Sequence, residues 1–137
     1  MAKQADVYAD LATSAAAVAT VLNLPPAIGD NNFEPPVDGN GMILPYLRFD
    51  FMNNAPFWEG IRTGRLDQGM MQITLTMPRP HLVATALGLV DDIITLYPKA
   101  VRLPGAGRVK VQSSPWVASP IVEGDRTYYP VTVPWVC

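Results

Sequence analysis

The chain predicts an α+β fold: an antiparallel or mixed sheet of four to five strands, two helices packed on one face, in the order α-β-β-α-β-β(-β). Three observations predict it. Two stretches carry apolar residues at helical spacing, and between and after them apolar residues recur at every second position. The strands fall in sequence-adjacent pairs, which favours antiparallel pairing with the helices segregated to one side. The chain has 137 residues, 49% of them hydrophobic and only 16% charged. That length suits one domain over residues 1–137 with its own core, and the composition excludes disorder as the overall state.

The first helix is expected over residues 5–22, where Val7, Leu11, Ala15, Val18 and Leu22 form one stripe and alanine fills many other positions. Pro25-Pro26 stops it. Residues 23–45 hold Pro25, Pro26, Pro35 and Pro36 with three glycines and four asparagines, and read as an irregular arm. A long hairpin follows over 46–77. Its strands alternate through Leu47, Phe49 and Phe51, and through Met71, Ile73, Leu75 and Met77. The intervening tip is rich in Asn, Pro and Gly. Pro78 and Pro80 bracket the start of a second helix, expected over 80–97 with a stripe of Val83, Leu87, Val90, Ile94 and Tyr97, closed by Pro98.

C-terminal strands fill 100–136, with short runs at Ala100–Leu103 and Arg108–Gln112 and a last strand from Arg126 to Val136. In that last strand Pro130 and Pro134 share a parity, so both missing N–H groups fall on one side. The strand is therefore expected to pair through Tyr129, Val131 and Val133, and to be an edge strand whose even side offers only donors such as Tyr128 and Thr132.

Charge and cysteine content narrow the function classes. A formal net charge of −2 and a pI near 5.2 do not fit a general nucleic-acid binder. Cys137 is the only cysteine, so no internal disulfide forms. The uncharged stretch Leu11–Gly29 lacks the basic start of a signal peptide, and Thr13, Ser14, Thr20 and Asn23 interrupt it as a membrane span. A cytoplasmic chain is expected where it is made. So low a charge on so small a chain suggests that self-association covers part of the surface.

Catalytic chemistry is sparse. His81 is the only histidine and sits at a helix start, where the positive helix end favours the neutral ring. No serine lies in a GxSxG elbow. Asp91-Asp92 are adjacent on a helix and diverge by about 100°, so they read as a solvated face or a subunit contact. Gly39-x-Gly41 and Gly105-x-Gly107 lack the third glycine of a dinucleotide loop and read as turns. No enzyme, cofactor or metal site is expected.

Binding signals are stronger. Trp58, Arg62 and Arg65 stand at the hairpin tip, a residue mix favoured at interface hot spots, although a tip aromatic also packs back on its own sheet. Lys99, Arg102, Arg108 and Lys110 form a basic set that reads as a solvated face or a DNA-facing one. Trp116 and Trp135 read as core or edge packing.

The ordered set of segments resembles a family of small bacteriophage tail proteins, the lambda-type tail terminators and a related phage-domain family. Its carriers are the alanine-rich first helix with Asn32-Phe33-Glu34-Pro35-Pro36, the strand Pro45-Tyr46-Leu47-Arg48, and Gly64-Arg65-Leu66-Asp67-Gln68-Gly69 running into Met71–Pro78. The helix Leu82–Tyr97 and the ending Tyr129-Pro130-Val131-Thr132-Val133-Pro134 complete it. One departure is Pro78-Arg79-Pro80-His81, where such proteins often carry glycine. The resemblance implies a structural protein of the virion tail, assembled in the host cytoplasm. It would form a homo-oligomeric ring, typically a hexamer, that caps the tail tube, stops its growth and docks to the head connector. DNA would cross the lumen without being read, and no membrane is involved. Trp58, Arg62, Arg65 and Thr132 are the expected subunit or partner contacts. A head–tail connector and a small cytoplasmic ligand-binding domain remain the alternatives.

Overall fold

A computed structural model describes residues 4–28, 39, 44–53, 57–60, 64–78, 81, 83–105 and 107–137. Helix α1 (Gln4–Leu22) buries Val7, Leu11, Ala15 and Val18, the stripe that its periodicity predicts. It ends in a Schellman arrangement. Asn23 takes a left-handed φ of 56°, its N–H donates to Thr20 O (3.2 Å), and the Leu24 N–H donates to Ala19 O (3.0 Å). Asn23 therefore stops the helix before Pro25-Pro26 is reached. By length and composition α1 is apolar enough to cross a membrane, but its apolar stripe lies in the core.

The sheet is mixed and, among the described residues, has seven strands, more than the four to five expected. Strand β1 (Pro26–Ile28) falls within the expected arm and runs parallel to β2 (Tyr46–Asn53). The rest of that arm, apart from residues 39, 44 and 45, lies outside the described residues. β2 pairs antiparallel along its whole length with β5 (Gln68–Pro78). Between them, β3 (Phe57–Gly60) and β4 (Gly64–Leu66) make a separate two-stranded ribbon at the hairpin tip.

The last strand, β9 (Arg126–Val136), is not an edge strand. It lies inside the sheet, in register with β5 from Gln68↔Val136 to Pro78↔Arg126. Its other side is covered by β6 (Lys110–Val111), β7 (Trp116–Val117) and β8 (Ile121–Glu123). The proline parity is nevertheless visible. Pro134 falls between the partners of β6 and β7, and Pro130 between those of β7 and β8. Each proline still accepts through its carbonyl, from Gln112 N–H and Ala118 N–H (both 2.9 Å). Without its own N–H it cannot close the ladder, so that side breaks into three short strands. The run expected at Ala100–Leu103 contributes only an isolated bridge, Arg102↔Lys110.

Odd positions of β2, β5 and β9 build the core face: Leu47, Phe49, Met71, Ile73, Leu75, Tyr129, Val131, Val133 and Trp135 are all at most 2% exposed. Both helices lie on this face and share one apolar cluster with it. Gly69 is required there. A Cβ on it would overlap Met52 O and come within 2.5 Å of the Trp135 indole. Helix α2 (Val83–Thr95) is rotated from its expected stripe. It buries Ala86, Val90 and Ile93, with Tyr97 just beyond, and leaves Val83 56% and Leu87 41% exposed. The small Ala86, fully buried, lets the helix backbone approach the sheet, and its larger neighbours turn outward.

Candidate functional site

The groups that sequence reading weighed for chemistry are engaged structurally. His81 Nδ1 lies 3.0 Å from Pro78 O and Nε2 lies 2.7 Å from the Tyr129 hydroxyl. A carbonyl only accepts, so Nδ1 carries the proton; in the neutral ring Nε2 accepts from the Tyr129 O–H. The ring thus ties the approach to α2 onto β9. Tyr97 and Ser14 share a 3.1 Å hydroxyl contact between the helices, and burial pushes the Tyr97 phenol up to about 12 despite that bond. Among the described residues no three His, Cys, Asp or Glu side chains converge as metal ligands.

Asp10 is a residue that sequence reading did not single out. It is 8% exposed on α1, and its Oδ2 accepts from the Gly107 N–H at 2.6 Å. A Cβ on Gly107 would sit 2.5 Å from that oxygen and 2.9 Å from Asp6 O, and one on Gly105 would overlap the carboxylate. Both turn glycines are therefore glycine because α1 lies against them. They close a small hairpin held by Leu103 N–H to Val109 O (2.8 Å) and Val111 N–H to Val101 O (2.9 Å). Ala100 and Arg108 take left-handed φ values of 71° and 55°, which costs about 1–2 kcal/mol each. An anchored, locally strained hairpin thus carries the basic set, with Lys99, Arg102 and Arg108 exposed and Lys110 half-buried.

A half-open apolar cleft of about 230 Å³ runs beside α1 to Leu96, Leu103 and Pro104. It offers little to orient a ligand, because its carboxylate, Asp10, already serves Gly107.

The larger feature is the even face of the sheet, on which no helix lies among the described residues. Its centre is lined by small or rigid residues: Thr76, Pro130, Thr132 and Pro134 are buried between larger neighbours such as Tyr46 and Gln72. Its rim is apolar and exposed, with Trp116 at 48% and Met52 at 41%. Arg48 and Asp50 pair with each other at 3.5 Å, and Arg126 reaches Asp125 at 3.6 Å. Arg102 and Lys110 sit side by side on this face with no ion pair among the described residues.

Backbone register pairs Trp58 with Arg65 in the ribbon. Arg62 lies outside the described residues. Thr132 is 7% exposed on β9, between Gln72 and Trp116. The reason for choosing it, a donor on a free edge, fails because β7 covers that edge. Trp135 is core, whereas Trp116 is the exposed aromatic. A signal for the latter was its position in Ser-Ser-Pro-Trp-Val, where prolines allow only a short outer strand.

One solved structure superimposes with a TM-score of 0.76 over 98% of this chain and 94% of its own, at 19% identity, which shows a shared fold. No curated protein sequence matches the chain. The family model described as phage tail terminator protein matches residues 6–135, from the start of α1 to the end of β9. On that match the chain belongs to the phage tail terminator family, a structural family of the phage tail.

Proposed function

We propose that this protein ends tail-tube assembly. Copies close into a ring, a hexamer by resemblance, on the head-proximal end of the completed tube, stop its growth and present the surface that meets the head connector. The observation that carries this reading is the family match across residues 6–135. The surface supports it: few charges, exposed apolar residues at the rim of a sheet face on which no helix lies among the described residues, and a separate two-stranded ribbon. A two-stranded ribbon alone in water is marginally stable, and among the described residues β3 and β4 pack extensively only on each other. Trp58, Arg62 and Arg65 are therefore assigned to a contact with a neighbouring subunit or tail component, and Thr132 supports Trp116 from beneath it. Assembly takes place in the host cytoplasm, and DNA crosses the ring without being read.

The test is tube polymerisation with purified tube protein. Adding this protein should give tubes of limited length with a ring at one end, and the double charge reversal Arg62→Glu/Arg65→Glu should abolish capping. Tubes of unchanged length would refute the reading. Sedimentation with capsids and not with tubes would place the protein on the connector side.

A further inference from the structure

Uncovered residues of matching chemistry stand on opposite sides of this subunit. On the even face of the sheet, Trp116 and Met52 are exposed, and Arg102 lies directly across a bridge from Lys110. Like charges at opposed strand positions repel, a cost that an overlying anion removes. Residues 93–122 contain no Asp or Glu, and neither cation is ion-paired among the described residues. On the outer side of the helix layer, α2 exposes the i, i+4, i+8 stripe Val83, Leu87 and Asp91, while Asp92 is exposed about half a turn round from Val83. That helix contains no Lys or Arg, and neither aspartate is ion-paired among the described residues.

The two sets have the whole thickness of the subunit between them. α2 packs on the odd face, while Lys110 has the opposite parity to the buried Val111 and so projects from the even face with Arg102. They cannot meet within one chain. The geometry points to a second copy as the partner: the outer side of α2 of one subunit docks on the even sheet face of the next. Val83 and Leu87 would cover Trp116 at the apolar rim, and Asp91 would lie over Arg102 and Lys110. The two surfaces are different, so the contact is heterologous and propagates head to tail, as a ring requires. This assignment rests on the ring reading above and names its contact.

The experiment is charge exchange read by light scattering over a concentration series. Asp91→Lys and Arg102→Glu/Lys110→Glu should each lower the assembled mass towards that of the subunit, with at least a tenfold weaker association. An equimolar mixture of the two, or all three changes in one chain, should restore assembly. Circular dichroism melts check that each variant folds, and Leu87→Arg, which changes one exposed residue, serves as a second disruption. If the wild type assembles and the variants assemble equally well, or if exchange gives no rescue, this contact is wrong and the ring reading survives. If the wild type keeps subunit mass at every concentration and does not bind tube ends, both fall.

Discussion

The two faces of the sheet come from alternating residues of the same strands and end in opposite states. Most odd positions of β2, β5 and β9, among them Leu47, Ile73, Leu75, Tyr129, Val131 and Val133, are apolar and share one core cluster with the two helices. Even positions carry Arg48, Asp50, Gln72, Thr74, Thr132, Pro130 and Pro134, with no helix over them among the described residues. One face tolerates almost no change of volume, since each fully buried aliphatic side chain stabilises by roughly 1.5–3 kcal/mol. The other is buried only at its centre, at Thr76, Pro130, Thr132 and Pro134, and exposes Trp116 and Met52 at its rim. Under the docking proposed above, folding and association would use opposite parities of the same strands.

Three measurements would break or sharpen that contrast. The largest effect is expected at Gly69→Ala, where the new methyl meets the Met52 carbonyl and the Trp135 ring. A loss of about 3 kcal/mol in denaturant unfolding is expected; a loss under 1 kcal/mol would show that the covered face repacks.

Next comes alkaline pH. The Tyr97 phenol is raised from 10.0 to about 12 by burial. Its contribution is whole below pH 10 and shrinks as pH rises towards 12, because the unfolded chain loses that proton first. The stability curve should fall by about 2 kcal/mol across this window, and Tyr97→Phe should remove the component. A fall of the same size in Tyr97→Phe would assign it to other groups.

The smallest folding effect is expected at Trp116→Ala. Half-exposed on a two-residue strand, it should change stability by less than about 1 kcal/mol while weakening self-association several-fold. A large loss of stability with unchanged assembly would reverse the roles of the two faces.

Much of this architecture was legible residue by residue. The stripe of α1, the alternation of β2 and β5 and the shared parity of Pro130 and Pro134 are local patterns, and each appears where the sequence places it. What the proline parity could not reveal was that three short strands would cover the broken side. The tip cluster of Trp58, Arg62 and Arg65 was legible as a candidate contact from composition alone, and the backbone register sets Trp58 across from Arg65. Val83 and Leu87 were not legible as surface, because an apolar residue at a helical position looks the same whether its side is covered or not.

The sequence by itself determined periodicity, parity and the points where hydrogen bonding must fail, since these depend on one residue's φ, its N–H and its side chain. Only the tertiary structure decided that β1 joins in parallel and that β9 lies inside the sheet. It also decided which side of α2 is buried, and that Asp10 meets Gly107 across 97 residues of chain. Those outcomes depend on which distant surface arrives first at close packing, and no local pattern encodes the shape of a surface that another part of the chain supplies.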